Sequence, residues 1–497
     1  MQSAPPSAAE LDRIREQAEQ FLAERDEEEY LHFAGHKPDY DLEPIYERHA
    51  DLTSLETALR VGEAVDGTRN RELWRFACEG YLGSLTRDAE ERAAGLETSL
   101  SIPHEGGVLP YRAIRSAIAN EPDRGARQRL EAQRRELAEE HLVPVHREGI
   151  DAGHDGARAL GAASYAELYD MRFGFELEAL ADRCRAVLAS TESLYETAID
   201  RLLRARAGVS LADAESHDVA RIRRASDWDA AFPADAMVPA LRATLDGLGI
   251  RLDEQRNVHL DVEHRPTKSP RAFCSPIDVP GRVMLVIQPL GGPDDWQGLF
   301  HEAGHTEHFA HMSPSLAIED RKLGDNAVTE GWAALFELLV SDPAWLGRRL
   351  DVGRPQDFAT DTLAVHLFFL RRYSAKLLYE LELHGADDVT PLRGRYVELL
   401  ADALKIEPAP CDFLDDVDPG FYCTSYLRSW AFEAQLRDHL RSRYGDHWFA
   451  RRDAGSLLRE LWELGQRPTA DELLKDVTGA ELDLAAVEDR IRAAVRP

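Results

Sequence analysis

Long segments of this chain place apolar residues three and four positions apart, the spacing that gives a helix one buried stripe. "ELDRIREQAEQFLAERDEEEYLHF", "SYAELYDMRFGFELEALADRCRAVLASTESLYETAIDRLLRARA" and "TLAVHLFFLRRYSAKLLYELELHG" all read this way. Strand-like sequence is confined to one region. "RVMLVIQPL" (Arg282 to Leu290) is a β-branched apolar run between Pro280-Gly281 and Gly291-Gly292-Pro293, and "NVHLDVEHR" (Asn257 to Arg265) alternates. Breaks fall at "SIPHEGGVLPY", "AFPADAM" and "VGRPQD". These patterns predict a mostly α fold carrying one small sheet. With 497 residues the chain exceeds what a single simple core normally serves, so two lobes are expected.

Composition narrows the function classes. Hydrophobic residues at 44% and charged residues at 30% describe a globular chain rather than a disordered one. No run of apolar residues is long enough for a transmembrane helix, and "MQSAPPSAAELDRIREQAEQ" lacks the basic and apolar regions of a secretory signal. The five cysteines are scattered and never in C-x-x-C spacing. That argues against a disulfide framework or thiolate zinc site and for a reducing compartment, so a cytoplasmic location is expected. A net charge of −31 repels phosphate backbones, so neither nucleic acid nor membrane is an expected partner. The same charge reads as solubility or adaptation to salt.

One stretch stands apart. "LFHEAGHTEHFAH" (Leu299 to His311) holds four of the chain's 18 histidines. It follows "GGPDD", in which Asp294 or Asp295 is the expected N-cap, and it ends at "SPS". Trp296, Leu299, Phe300 and Ala303 form the expected core stripe. Within the helix His301, Glu302 and His305 make H-E-x-x-H. Residues four apart share a face, so both imidazoles can reach one ion, while Glu302 lies about 100° round the helix, within reach of a water at the metal. A third ligand is expected from Glu330 in "LGDNAVTEGWAALFELLVSD", whose helix Asp325 or Asn326 would cap. Two histidines and a carboxylate leave a coordination position open, as in a catalytic zinc site, although cobalt or manganese suits the same donors. One Zn²⁺ is expected. His308 and His311 are expected to support the ligands from outside or to lie on the surface.

The longer pattern H-E-x-G-H-x-x-H, met by Gly304 and His308, with a glutamate 25 residues on, resembles the M3 family of zinc oligopeptidases, the thimet oligopeptidase and oligopeptidase F group. "KSPRAFCSP" (Lys268 to Pro276), "FYCTSYLRSW" (Phe421 to Trp430), "GQRPTADELLKDVTG" and "LGAASYAELYDMRF" resemble further stretches of that group. The likeness runs from about Leu160 to the C-terminus. It implies a two-lobed helical metallopeptidase with a small β-sheet beside a deep channel: an N-terminal helical region at 1–185, then a zinc metallopeptidase catalytic domain at 186–497. Short peptides would be the substrates of this oligoendopeptidase, acting as a monomer or homodimer. One departure stands out. Where the family pattern has a histidine and a tyrosine, this chain has Asp416 and Asp418, and an ionised carboxylate cannot donate a hydrogen bond.

The chemistry these residues support is metal-assisted hydrolysis, with Glu302 taking the attacking water's proton and passing it to the leaving amine. The family tyrosines map onto Tyr426 and Tyr422, the candidate donors to the oxyanion. The strand Arg282 to Gln288 is either an ordinary edge strand or one that pairs with an extended peptide. His259 and His264 are expected on the surface, and Cys274 and Cys423 are expected to be structural thiols. Two other readings compete: a metallocarboxypeptidase of the M32 type, whose H-E-S-Q stretch is replaced here by "VTEGWA", and a degenerate relative that only binds peptides.

Overall fold

A computed structural model of the chain describes residues 5–104 and 106–495. Helices dominate. The principal ones are α1 (Ala8–Phe33), α2 (Thr68–Ser99), α3 (Leu177–Arg206), α4 (Pro293–His311), α5 (Asn326–Glu337), α6 (Pro355–Gly385) and α7 (Cys423–Tyr444). One apolar cluster runs from Leu11 to Val495 and includes residues on both sides of position 185, which lies within α3. Trp296, Trp332, Trp345, Trp448 and Trp462 are fully buried in it. No helix among the described residues is long and apolar enough to cross a membrane.

Among the described residues two small sheets are present rather than one. Strands β1 (Ser101–His104) and β2 (Gly107–Pro110) pair as an antiparallel hairpin where the sequence suggested only a break. Each is four residues long, too short for alternation to stand out from turn-rich surroundings. The second sheet has β3 (Val258–Asp261), β4 (Phe273–Asp278) and β5 (Arg282–Val286) in the order β3–β5–β4, with β3 parallel and β4 antiparallel to β5. The run from Val283 to Val286 is buried throughout, which explains why it reads as continuously apolar.

This order corrects one expectation. The strand at Arg282 is central, with partners on both sides, so its ladder offers no edge to a peptide. Strand β4 is at the edge, and its Pro276 suits an edge because proline donates nothing to a ladder. Alternation alone missed β4 because that proline interrupts it.

Candidate metal centre

Helices α4 and α5 pack so closely at one point that only a glycine fits there. At Gly304, between the two histidines of the motif, an added Cβ would stand 2.5 Å from the Trp332 carbonyl oxygen and 2.6 Å from Ala333 Cα. Side-chain volume there would push the helices apart. The expected core stripe holds, with Trp296, Leu299 and Phe300 at 0% exposure and Ala303 at 1%. The helix start differs from expectation. Gly292, with φ of +87°, is the N-cap and Pro293 follows it. Asp295 turns back instead, and its Oδ2 accepts the Leu290 and Gly291 amides at 2.7 and 2.9 Å. At α5 the cap is Asp325, which accepts the Ala327 amide at 3.0 Å and also binds Arg428.

That apposition brings the three expected ligands together. His301 Nε2 lies 3.5 Å and His305 Nε2 3.6 Å from the same oxygen, Glu330 Oε2. Ligand atoms about 2.1 Å from a tetrahedral ion stand about 3.4 Å apart, which these two separations approach, and the three ligand atoms all lie within 4.8 Å of one another. Glu330 Oε2 is buried and has no hydrogen-bond partner among the described residues. The polar atoms of the trio that face away from this point are held. His301 Nδ1 is 2.8 Å from Glu337 Oε2, His305 Nδ1 is 2.9 Å from Thr329 Oγ1, and Glu330 Oε1 accepts the Tyr422 hydroxyl at 2.7 Å. Such partners fix the tautomer and aim each Nε2 inward. The residues therefore fit a metal ion: two imidazoles and a carboxylate present lone pairs to one point, and the orphaned oxygen lacks a partner there.

Glu302 sits beside the trio without joining it. Its Oε2 accepts the Cys274 amide at 2.8 Å, so edge strand β4 positions this carboxylate. Glu302, His305, Glu330 and Tyr422 all line a cavity of about 420 Å³ whose remaining wall includes residues of α1 and α2. Burial pushes the Glu302 carboxyl up to about 7, with His301 pulling the other way. Burial also raises Glu330, again opposed by His301. For His301, burial disfavours the charge, but Glu337, Glu302 and Glu330 overcome it and lift the group to about 10. His305 is driven well below its ordinary value, by burial first and then by His301. In the metal-free centre Glu337, Glu302 and Glu330 thus all favour the charged form of His301.

The remaining expectations sort themselves by packing. Tyr422 is committed to Glu330. Tyr426 stacks edge-on against Tyr422 and Tyr373 at 5.3 and 5.2 Å, and its hydroxyl has no partner among the described residues. His308 is fully buried and packs on Phe309 and Trp332, so it is a core residue rather than a support or a surface group. His311 is half-buried and donates to the Glu307 carbonyl at 2.9 Å. His259 and His264 are exposed. Both thiols are free; burial raises Cys274, and Cys423 lies 3.1 Å from Glu380 Oε2.

The two aspartates at the family positions have structural partners. Asp416 is partly buried against Arg372 at 2.6 Å, Lys376 at 3.3 Å and the Tyr396 hydroxyl at 2.9 Å. Asp418 pairs with Lys376 at 2.7 Å. Asp418, Glu380 and Cys423 converge as a metal site might, but the Lys376 ammonium already supplies the cation there. Sequence reasoning missed Glu337, Thr329 and the Cys274 amide. Glu337 does carry a signal, since it lies seven residues after Glu330 and so on the same helix face.

No family model matches the chain, and no curated protein matches it. What fold and site define is a class: a mostly α protein with a His301–His305–Glu330 cluster that could bind a metal.

Proposed function

We propose that this protein is a zinc-dependent peptidase that cuts internal bonds of short peptides, resembling the M3 family. One observation carries the reading: both Nε2 atoms approach the single unpartnered oxygen of Glu330 at 3.5 and 3.6 Å, beside a carboxylate that is not a ligand. Zinc, when bound, supplies a Lewis acid that acidifies water and polarises the scissile carbonyl. Glu302 is held by the Cys274 amide through one oxygen, and its place in the cavity wall lets it take the attacking water's proton. A carboxyl poised near 7 can take that proton and return it to the leaving nitrogen. Tyr426 is the favoured donor to the oxyanion, because the Tyr422 hydroxyl is spent on Glu330.

The test is mass spectrometry of a mixed peptide pool incubated with the protein, with and without a zinc chelator, alongside Glu302→Gln. Chelator-sensitive internal cuts that fall by about 10²-fold or more in the variant are expected. Stepwise loss of single C-terminal residues would favour the carboxypeptidase instead. No cleavage by the metal-loaded protein would leave only peptide binding.

A further inference from the structure

The cavity that reaches Glu302, His305 and Glu330 is also lined by three cations: Arg25 on α1, Arg75 on α2 and Lys322. Two are occupied. Arg75 pairs with Glu72 at 2.8 Å and donates to the Leu323 and Gly324 carbonyls. Lys322 binds Asp26 and donates to the Pro276 carbonyl at 2.8 Å. Arg25 is different. Its Nε forms an ion pair with Glu29 Oε1 at 3.6 Å, beyond hydrogen-bond range, and is buried without a hydrogen-bond partner. None of its nitrogens has a hydrogen bond to a described residue, and the side chain, 38% exposed, lines the cavity. The carboxylates facing it are Glu29, Asp26 and Glu79. Asp26 is taken by Lys322, and Glu79 accepts the Tyr169 hydroxyl at 3.4 Å.

A guanidinium whose fork makes no hydrogen bond, lining a cavity, is poised for a planar anion, because two parallel N–H bonds fit a carboxylate. Apolar rings share the space: Phe21, Phe76 and Phe309 line the same cavity. We propose that Arg25 binds the C-terminal carboxylate of the substrate peptide, with an apolar last side chain among these rings, so that cleavage is counted from the C-terminus. This rests on the peptidase reading and adds a substrate class to it: short peptides with a free, apolar C-terminal residue. It also gives the N-terminal helices a part in the site, since Arg25 comes from α1 and the metal ligands from α4 and α5.

The experiment is equilibrium binding by calorimetry, with the full-length protein in excess chelator and the peptide Gly-Gly-Gly-Phe as free acid and as C-terminal amide. The chelator matters because a carboxylate could otherwise bind the metal. The unsubstituted protein is expected to hold the acid at least tenfold more tightly than the amide. Arg25→Gln should remove that difference while leaving amide affinity within about twofold, and Arg25→Lys should restore part of it. Equal affinity for acid and amide in the unsubstituted protein overturns the proposal without needing any variant to fold. A preference that survives Arg25→Gln overturns it too. If chelator-sensitive cleavage persists in either case, the peptidase reading stands alone. Failure of both peptides to bind, with no cleavage of the pool, removes both.

Discussion

The Tyr422 hydroxyl donates to Glu330 Oε1 at 2.7 Å, which leaves Oε2 as the one oxygen of Glu330 facing the two imidazoles. The tyrosine therefore selects how the carboxylate presents itself.

Removing that hydroxyl should be felt at the metal before it is felt in the fold. Tyr422→Phe is expected to weaken zinc by about 10–100-fold, the usual effect of losing an outer partner of a ligand. Competition against a chromophoric chelator measures this; an unchanged affinity would show that Glu330 needs no such restraint.

Metal binding should release protons. Below about 10 the metal-free His301 is protonated, and its Nε2 must lose that proton to become a ligand. Apparent affinity should rise by up to about tenfold per pH unit through neutral pH and fall towards acid. Calorimetry in buffers of different ionisation enthalpy should show about one proton released per ion. A count of zero would contradict a protonated His301.

Gly304→Ala tests the helix apposition. A methyl 2.5 Å from the Trp332 carbonyl oxygen must separate α4 from α5, at a cost of about 1–3 kcal/mol. Denaturant unfolding in chelator should show the loss, and zinc affinity should drop as well. Full metal affinity with lowered stability would mean that the ligands tolerate the separation.

Asp416→Asn should damage the fold and spare the metal. It leaves Arg372 and the buried Lys376 short of a counter-charge, at a cost of about 3 kcal/mol, the low end for breaking a buried pair because Asp418 still faces Lys376. Thermal unfolding gives the number. Loss of zinc at temperatures where the variant is still folded would place Asp416 nearer the chemistry than its partners suggest.

Stability should decline below neutral pH for reasons unrelated to the metal. Burial holds His366 down to about 3, with Arg490 and Arg437 adding to it, and burial holds His384 well below 6.5 beside His154. Both are depressed in the folded chain, so the stability they favour is complete above about 6.5. It is lost as pH falls from there towards the folded values, at up to about 1.4 kcal/mol per unit for each. Urea midpoints in chelator between pH 7 and 5 follow this; flat midpoints would refute it.

Much of this was legible in residue order because helices are local. The stripe from Trp296 to Ala303 and the i, i+4 histidines needed only the 3.6-residue turn, and the Asp325 cap needed only its neighbours. Glu330 was found because its helix signals are equally local. The edges of the sheet were not legible. A buried apolar run at β5 does not say whether it has one neighbour or two, and β4 hides behind Pro276. Nor could the roles of Asp416, Asp418 and Tyr422 be read, since each depends on partners between 20 and 92 residues away.

By itself, then, the sequence determined which side chains share a helix face and so which donors can meet one ion. The tertiary structure alone decided how closely α4 and α5 approach at Gly304, which strands lie at the edges, and that Arg25 opens onto the cavity of the candidate metal centre. The physical reason is range. Helical periodicity is set by bonds four residues apart, whereas an approach of two helices, a sheet order or a guanidinium lining a cavity depends on residues that separate elements bring together, as Trp332 meets Gly304 and Arg25 shares a cavity with Glu302.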